Sequence, residues 1–312
     1  MHLIPYDTRI DFLRLRNVAI GIAAAMLIAS IALLATRGLN FALDFTGGTM
    51  AELQFDKPVD MDGVRDKLEA AGYENAVVQA FGSESDIVVR LQPQPGQANA
   101  AQTGSAVLAA VQTPDNPGRV IASDFVSAQV GKELAQNGVL AIVFVTFGFI
   151  IYISMRFEWK FAVAAIITTI FDVICTIGLF SLTQHQFDLS VMAGVMSVMG
   201  YSINDTIVVF DRVRENFRSA HKVGPGEILN RSVNQTLSRT IITSVVALLT
   251  VLALYFYGGD SLEGMAESQI FGIVLGTVSS IFVACPLLHL LGVTKQDLMP
   301  KIRDESELAR RP

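Results

Sequence analysis

Long runs of apolar residues alternate with short polar segments along most of this chain. A helix needs about 20 mostly apolar residues to cross a bilayer, and six stretches have about that length and pattern. The sequence therefore predicts an α-helical polytopic membrane protein with six transmembrane helices. We place these helices at residues 18–36, 138–155, 161–182, 189–210, 239–257 and 270–291.

The first apolar run follows Arg9, Arg14 and Arg16, an arrangement that a cleaved signal peptide also shows. The run is longer than the apolar region of most signal peptides, and no small-residue cleavage motif follows it before Arg37. We therefore expect this segment to remain in the protein as a membrane anchor.

Basic residues are distributed unevenly among the segments that connect the apolar runs. Arginine and lysine near helix ends favour the cytoplasmic side of the membrane. They occur before the first run and in every second connection after it, whereas residues 183–188 and 258–270 contain none. This alternation predicts that residues 1–17, 211–238 and 292–312 are cytoplasmic. Residues 37–137 then lie on the outer, periplasmic side.

The segment at residues 37–137 has the mixed pattern of a small folded domain. Alternating apolar residues predict strands, and Asp60 and Gly72 are typical residues for the start and the end of a helix. We therefore predict an α+β domain of the ferredoxin-like type. Its expected strands are Thr49–Phe55, Ala76–Phe81, Asp86–Leu91 and Arg119–Val126, with helices at Met61–Ala71 and Ser105–Gln112, a turn at Gly82–Ser85 and a loop at Pro93–Gly104.

Composition agrees with a membrane protein and argues against nucleic-acid binding. Of the 312 residues, 51% are hydrophobic and 17% are charged, compared with about 25% charged residues in a soluble domain. The whole net charge of −6 falls within residues 37–137, so no basic excess favours a nucleic-acid partner.

The residues that enzymes and metal sites need are scarce. Cys175 and Cys285 lie in apolar runs, where a thiol behaves as a small apolar group. Residues 37–137 contain neither histidine nor cysteine, and the chain has no phosphate-binding loop motif. We therefore expect no enzymatic activity, no cofactor and no metal site.

Ionisable residues inside the predicted spans are the strongest functional candidates, because a charge within a bilayer is costly. Asp205 lies in the inner part of the fourth span, and Gly194, Val198, Tyr201 and Arg212 share its helical face. A carboxyl there can take up and release protons according to the side of the membrane it faces. The alternative is a carboxyl that serves only packing. The neighbouring face carries small and polar residues suited to close helix packing, namely Ala193, Ser197, Gly200 and Asn204.

Arg239 opens the fifth span on the same helical face as Thr236, Thr240 and Thr243. Its guanidinium can pair with Asp205 if the fourth and fifth helices pack together. Alternatively, it extends to the cytoplasmic headgroups, as long basic side chains near helix ends do.

Asp172 in the third span is a weaker candidate for proton transfer. It lies near Thr168, Thr169 and Thr176, so the carboxyl either serves function or is simply hydrogen-bonded within the protein.

If the chain performs work, we expect an ion gradient to supply the energy, because one charge crossing 100 mV releases about 2.3 kcal/mol.

Three long motifs resemble the SecD/SecF family of protein-export subunits. Residues 38–49 read GLNFALDFTGGT, residues 200–216 read GYSINDTIVVFDRVREN, and residues 234–244 read NQTLSRTIITS. The resemblance follows the family's order along the whole chain. The single small outer domain is similar to the SecF branch rather than to the larger SecD branch.

The resemblance implies a partner and a source of energy. Members of the SecF branch form a twelve-helix assembly with SecD, of the resistance-nodulation-division type. They associate with the SecYEG translocon and use the proton-motive force in late steps of translocation. This implies contact with unfolded preprotein and with the lipid of the bacterial inner membrane.

The resemblance also implies roles for particular residues. Asp205 corresponds to the family's transmembrane proton-site aspartate and Arg239 to the fifth-span arginine of the same relay, while a second aspartate belongs to SecD. We expect supporting or packing roles for Asn204, Tyr201, Gly200, Thr243 and Asp172. A family-typical motif, which we interpret as a tight turn out of the membrane, contains Asp44, Phe45, Gly47 and Gly48.

Two alternatives remain open at this point. The chain can be a subunit of a related transporter for small molecules or lipids, which would need a defined substrate pocket. It can also be a scaffold that holds the translocon without transporting anything, and then replacement of Asp205 would leave export intact.

Overall fold

The structure is a computed structural model that describes residues 10–73, 76–81, 83–92, 100–219 and 223–298. The chain forms two compact units. The helical unit comprises the described residues of Met1–Asn40, Ile142–His185 and Ser190–Pro312, and the sheet unit comprises those of Phe41–Ala141 and Gln186–Leu189.

The described residues form helices and strands in the following order along the chain. The helices are α1 (Arg16–Thr36), α2 (Leu43–Thr46), α3 (Met61–Ala70), α4 (Ala100–Val111), α5 (Ala128–Arg156), α6 (Trp159–Thr183), α7 (Leu189–Ser219), α8 (Pro225–Tyr257), α9 (Asp260–Ser279) and α10 (Cys285–Leu290). The strands are β1 (Asn40–Phe41), β2 (Gly48–Phe55), β3 (Val77–Phe81), β4 (Ser83–Leu91), β5 (Gly118–Val126) and β6 (Gln186–Phe187).

Six helical stretches are long and apolar enough to cross a membrane, which confirms the predicted membrane architecture. Five are the single helices α1, α5, α6, α7 and α8. The sixth is formed by α9 and α10, which are joined by a π-helical turn at Ser280–Ala284. Pro286 lies at the start of α10 and has no amide hydrogen to donate to the preceding turn, a position that accommodates irregular winding.

Helices α7 and α8 extend far beyond the apolar runs that revealed them. The segment 211–238, which we expected to be a cytoplasmic loop, is mostly helical: α7 continues to Ser219 and α8 begins at Pro225. Val213 and Phe217 of α7 and Leu229 of α8 are buried there. The charged residues that follow the apolar runs lie on the faces of these helices that are not buried. The helices therefore continue although the mean hydropathy of the sequence falls.

Small residues allow the helices of this unit to approach closely. A side chain at Gly194 of α7 would meet Met265 and Ser268 of α9, and one at Gly276 of α9 would lie 3.3 Å from Ser202. The helices α7 and α9 are therefore in near-backbone contact along several turns, as glycine permits.

Two asparagines of α8 hold the residues that precede α1. The amide group of Asn234 accepts a hydrogen bond from the Ile10 nitrogen at 3.0 Å and donates one to the Ile10 carbonyl at 2.8 Å. One turn earlier, Asn230 accepts from the Phe12 nitrogen at 2.8 Å. The backbone of this segment is thus fixed to α8 at two points.

The sheet unit contains the predicted α+β domain. Its order β2-α3-β3-β4-α4-β5, with a fully antiparallel sheet in the order β3-β4-β2-β5, is the ferredoxin-like arrangement. Leu53 of β2, Val89 of β4, Leu68 of α3 and Val107 of α4 are buried in its core.

Helix α4 begins earlier than the sequence predicted. The loop expected at Pro93–Gly104 was wrong for residues 100–104, which are helical, while residues 93–99 lie outside the described part of the chain. Thr103, Val107 and Val111 recur at helical spacing and are buried. The predicted turn at Gly82–Ser85 was also too long, since β4 already begins at Ser83; Gly82 itself is not among the described residues.

Candidate functional site

Asp205 lies near the middle of α7 with only 2% of its surface exposed. Its Oδ2 atom is buried and has no hydrogen-bond partner among the described residues. The hydroxyl oxygens of Thr206 on α7 and Thr240 on α8 are also buried without a partner in this part of the chain. Buried polar atoms normally have partners, so a carboxyl oxygen without one is a place where a proton can bind.

The guanidinium of Arg239 on α8 interacts electrostatically with the Asp205 carboxyl, and the side chain of Thr243 on the same helix is near that carboxyl. The ion pair that the sequence suggested is not formed in this structure, because no basic side chain of the described residues pairs with Asp205. Arg239 is exposed, and the Thr243 hydroxyl donates to carbonyl oxygens of its own helix. Asp205 therefore has a positive charge near it but no fixed counter-ion.

Tyr201, one turn before Asp205, links three helices. Its hydroxyl donates to Oγ of Ser244 on α8 at 2.7 Å, and Ser244 lies 2.7 Å from the hydroxyl oxygen of Thr277 on α9. This network supports α7 beside Asp205. The sequence identified Tyr201 but did not indicate that Ser244 and Thr277 bond with it, because hydroxyl groups are common in all of these spans.

Asp172 of α6 is a second buried carboxyl, with 0% exposure. Its Oδ2 atom contacts the hydroxyl of Ser202 on α7 and lies 2.9 Å from Oγ of Ser279 on α9. Its Oδ1 atom is buried without a hydrogen-bond partner among the described residues. Asp172 therefore lies where three spans meet.

The threonines around Asp172 in sequence are not its partners. Thr168 and Thr169 donate to carbonyl oxygens one turn earlier on α6, and Thr176 donates to the backbone carbonyl of Asp172 itself. Such bonds within one helix are common for threonine in membrane spans. The side-chain partners are serines 30 and 107 residues away, which no local pattern could identify.

The predicted stripe of small and polar residues on α7 is largely uncovered. Ala193, Ser197 and Asn204 are exposed, and Gly200 is only partly buried. A side chain at Gly200 would have only the ring of Phe149 within 4 Å, at 3.9 Å. Among the residues that the structure describes, the stripe is therefore not a tight helix contact.

The glycine motif after α1 holds the start of α7. Oδ2 of Asp44 accepts a hydrogen bond of 3.1 Å from the backbone nitrogen of Leu189, the first residue of that helix. A carboxylate at a helix N-terminus satisfies a free amide and the helix dipole. The ring of Phe45 packs edge-on against Phe41 at 5.7 Å.

Both glycines of this motif have positive φ angles, +67° for Gly47 and +123° for Gly48. A side chain at Gly48 would also collide with the carbonyl oxygen of Leu91. The backbone there thus requires glycine. The two glycines join α2 to β2, and the expected turn out of the membrane stays a prediction.

The described residues contain no group of three or more histidine, cysteine, aspartate or glutamate side chains that could hold a metal ion. The buried polar groups of α6, α7, α8 and α9 are instead suited to binding protons and to hydrogen bonding between helices.

Comparison with known families decides where the chain belongs. A family described as "Protein export membrane protein SecD/SecF, C-terminal" matches residues 107–294, and one described as "SecD/SecF GG Motif" matches residues 32–59. The chain belongs to the SecD/SecF family of protein-export membrane proteins. The C-terminal match contains Asp172, Asp205 and Arg239, and the GG-motif match contains Asp44 and both glycines of the turn.

Within this family the chain is similar to proteins named "Protein translocase subunit SecF". The SecF of Pseudomonas aeruginosa is 44% identical over 293 residues, which cover 93% of this chain and 94% of that protein. The SecF of Escherichia coli O157:H7 is 42% identical over 303 residues, which cover 97% of this chain and 94% of that protein.

Solved structures of SecDF show the same fold. SecDF from Thermus thermophilus, described as a translocon-associated membrane protein, matches with a TM-score of 0.83 at 33% identity, covering 93% of this chain. SecDF in a super-membrane-facing form matches with a TM-score of 0.64 at 34% identity, covering 91% of this chain. This SecF-type chain spans only 39% of either SecDF chain.

Proposed function

We propose that this chain is a SecF-type subunit that, together with SecD, couples the proton-motive force to late steps of preprotein translocation. The observation that supports the proposal best is Asp205. Its carboxyl is buried on a membrane-spanning helix, and one oxygen has no hydrogen-bond partner in the described part of the chain. Such a group can gain and lose a proton without first breaking a permanent bond.

The energy available from proton movement is sufficient for a conformational cycle. One charge crossing 100 mV releases about 2.3 kcal/mol, so a few protons per cycle can shift a conformational equilibrium by several kcal/mol. We therefore propose that protonation of Asp205 changes how α7 interacts with α8, where Arg239 acts on the carboxyl.

The uncovered stripe on α7 supports SecD as the partner. Polar side chains such as Ser197 and Asn204 are exposed in this chain, and polar groups facing lipid tails are unfavourable. Helices of SecD would cover them and bring the second aspartate of the proton site. Apolar residues such as Val246 and Leu249, which are also exposed, are suited to contact with SecD or with membrane lipid.

The proposal includes the surroundings in which the chain works. We propose the bacterial inner membrane, with both termini cytoplasmic because the basic residues lie in alternate connections. We further propose the SecYEG translocon and unfolded preprotein as partners, and no enzymatic activity, cofactor or nucleic acid.

Export into membrane vesicles tests the proposal directly. We would compare the parent chain with Asp205→Asn, with and without a proton gradient, and use co-purification with SecD to verify assembly. A matched control is Asp211→Asn, a half-exposed carboxyl on the same helix that pairs with Arg156 at 2.7 Å. We expect Asp205→Asn to lose the stimulation by the gradient and Asp211→Asn to keep it. Normal stimulation in an assembled Asp205→Asn variant would leave only the scaffold interpretation.

A further inference from the structure

The surroundings of Asp172 make a charge on its carboxyl very unfavourable. The residue is fully buried, and within the described part of the chain its Oδ2 atom is hydrogen-bonded only by the hydroxyls of Ser202 and Ser279. In the described residues, α1, α7 and α9 place no basic side chain against it, and the titratable group that interacts with it electrostatically is the Cys175 thiol on its own helix. A buried ionised carboxylate without a cation is strongly destabilised, whereas a neutral carboxylic acid is not.

The hydrogen bonds of Ser279 are compatible with a protonated Asp172. Its Oγ atom lies 2.9 Å from Asp172 Oδ2 and 3.1 Å from the carbonyl oxygen of Gly276. A serine hydroxyl has one hydrogen but can accept two further bonds. If that hydrogen goes to the Gly276 carbonyl, the proton in the contact with Asp172 must come from the carboxyl.

We propose that Asp172 is a permanently protonated positioning residue that fixes the rotation of α7 and thereby the direction in which Asp205 points. Its Oδ2–H group donates to Ser279 on α9, and the same oxygen accepts from Ser202 on α7. Ser279 in turn donates to the Gly276 carbonyl. The inference rests on the proposed function, since it assigns Asp172 to the support of the proton carrier.

The position of Ser202 explains why this contact affects Asp205. The two residues are three positions apart on α7, which is less than one helical turn. Gly276 of α9 lies against Ser202, so the helices are already close where the hydrogen bonds form. Rotation of α7 by one residue would remove Ser202 from Asp172 and would turn Asp205 away from Arg239 and Thr243.

Two substitutions at Asp172 separate a positioning role from a proton-carrying role. Asparagine is nearly isosteric, never ionises and can donate to both serines, while Ser202 can turn its hydrogen to the carbonyl four residues earlier. Leucine keeps the volume but removes all of these bonds. We expect gradient-driven export by Asp172→Asn to remain within about twofold of the parent, and Asp172→Leu to lose about tenfold or more through misplacement of Asp205.

The control and the pH profile make the test specific. Thr168→Val removes a fully buried hydroxyl of α6 whose hydrogen bond, in the described part of the chain, is to its own helix, and we expect this variant to export normally. In Ser202→Ala, we expect the pH midpoint of gradient-driven export to shift at unchanged protein level. A loss in Asp172→Asn as large as that in Asp172→Leu would overturn the proposal, because it would mean that the proton must leave.

A stability measurement, which does not depend on export activity, tests this inference separately from the proposed function. Thermal unfolding of the purified chain with Asp172→Leu, Ser202→Ala and both together measures the coupling between the two side chains. We expect the double variant to lose less than the sum of the single losses. Additive losses would refute the bond, whereas an unaffected Asp205→Asn variant would refute only the role of Asp205.

Discussion

The two sides of α7 differ in how their polar groups are satisfied. Toward α6 and α9, Ser202 is hydrogen-bonded to Asp172, and Gly194 and Gly276 allow close contact. Toward α8, the Oδ2 atom of Asp205 is buried without a hydrogen-bond partner among the described residues, and so is the Thr240 hydroxyl on α8 itself. At the level of Asp205, the first side has hydrogen bonds between helices, whereas the second has buried polar atoms without partners, although Tyr201 one turn earlier is bonded to Ser244 of α8.

This difference shows how one helix can hold a reactive group and still be well positioned. A carboxyl that exchanges protons must not be fixed by several donors, because each bond would favour one charge state. The helix that bears it must nevertheless be fixed, or the carboxyl would lose its direction. In α7, these requirements are met by residues on different faces, less than one turn apart.

Removal of the positive charge on the α8 side should have the largest effect. For Arg239→Gln we expect at least about a tenfold loss of gradient-driven export, which corresponds to about 1.4 kcal/mol. The charge that acts on Asp205 is then absent, whereas Arg239→Lys keeps a charge and should retain part of the activity. Export into vesicles with a proton gradient measures both.

Arg231→Gln is the control for that substitution, because Arg231 is an exposed arginine on the same helix two turns earlier. Its export should equal that of the parent. Equal losses at both arginines would show that overall charge, and not the neighbourhood of Asp205, matters on this side of α7.

The close packing between α7 and α9 can be disrupted by a larger side chain at the contact. A side chain at Gly272 of α9 would collide with Val198 of α7, and overpacking of this kind typically costs about 1–3 kcal/mol. We therefore expect Gly272→Val to lower the thermal unfolding midpoint of the purified protein. Gly148→Ala is the matched helical control, since no atom lies within 4 Å of the added carbon, and it should unfold at or above the parent midpoint. An unchanged midpoint for Gly272→Val would contradict close packing of α7 and α9.

A smaller effect on stability is expected from the hydrogen bond between Asp44 and the first residue of α7. Asp44→Ala removes the acceptor for the Leu189 amide, and loss of such a cap costs about 1 kcal/mol. Asp44→Asn keeps an acceptor oxygen and should be closer to the parent in a denaturant or thermal unfolding experiment. If alanine and asparagine behave alike, the hydrogen bond to α7 does not contribute.

The smallest effect is expected at a carboxyl with a permanent cationic partner. Lys160 hydrogen-bonds Asp297 at 2.7 Å and lowers the pKa of that carboxyl below its ordinary value. The contribution to stability is therefore complete above the ordinary pKa of about 3.9 and is lost as the pH falls through the lowered value. Lys160→Met should flatten this acid dependence in thermal unfolding measured across acidic pH. The effect is modest because the pair is partly exposed to solvent.

Much of the fold followed from the sequence because apolar runs and period-two strands are strong local signals. Asp205 was also identifiable, since a carboxyl within an apolar run is conspicuous. The helical structure of residues 211–219 and 225–238 was missed because charged side chains interrupt the apolar pattern to which Val213 and Leu229 belong. The partners of Asp172 were missed for a different reason: Ser202 and Ser279 come from distant spans, and their meeting depends on helix packing that no local pattern encodes.

The two asparagines that hold Ile10 and Phe12 have a mechanical consequence for the proton site. Asn234 lies five residues before Arg239 on α8, and Phe12 lies four residues before the start of α1. A helix is stiff over such distances, so any movement of α8 along its axis near Arg239 would also displace Ile10 and Phe12. Residues 10–12 thus connect the start of the first span with the helix that carries Arg239.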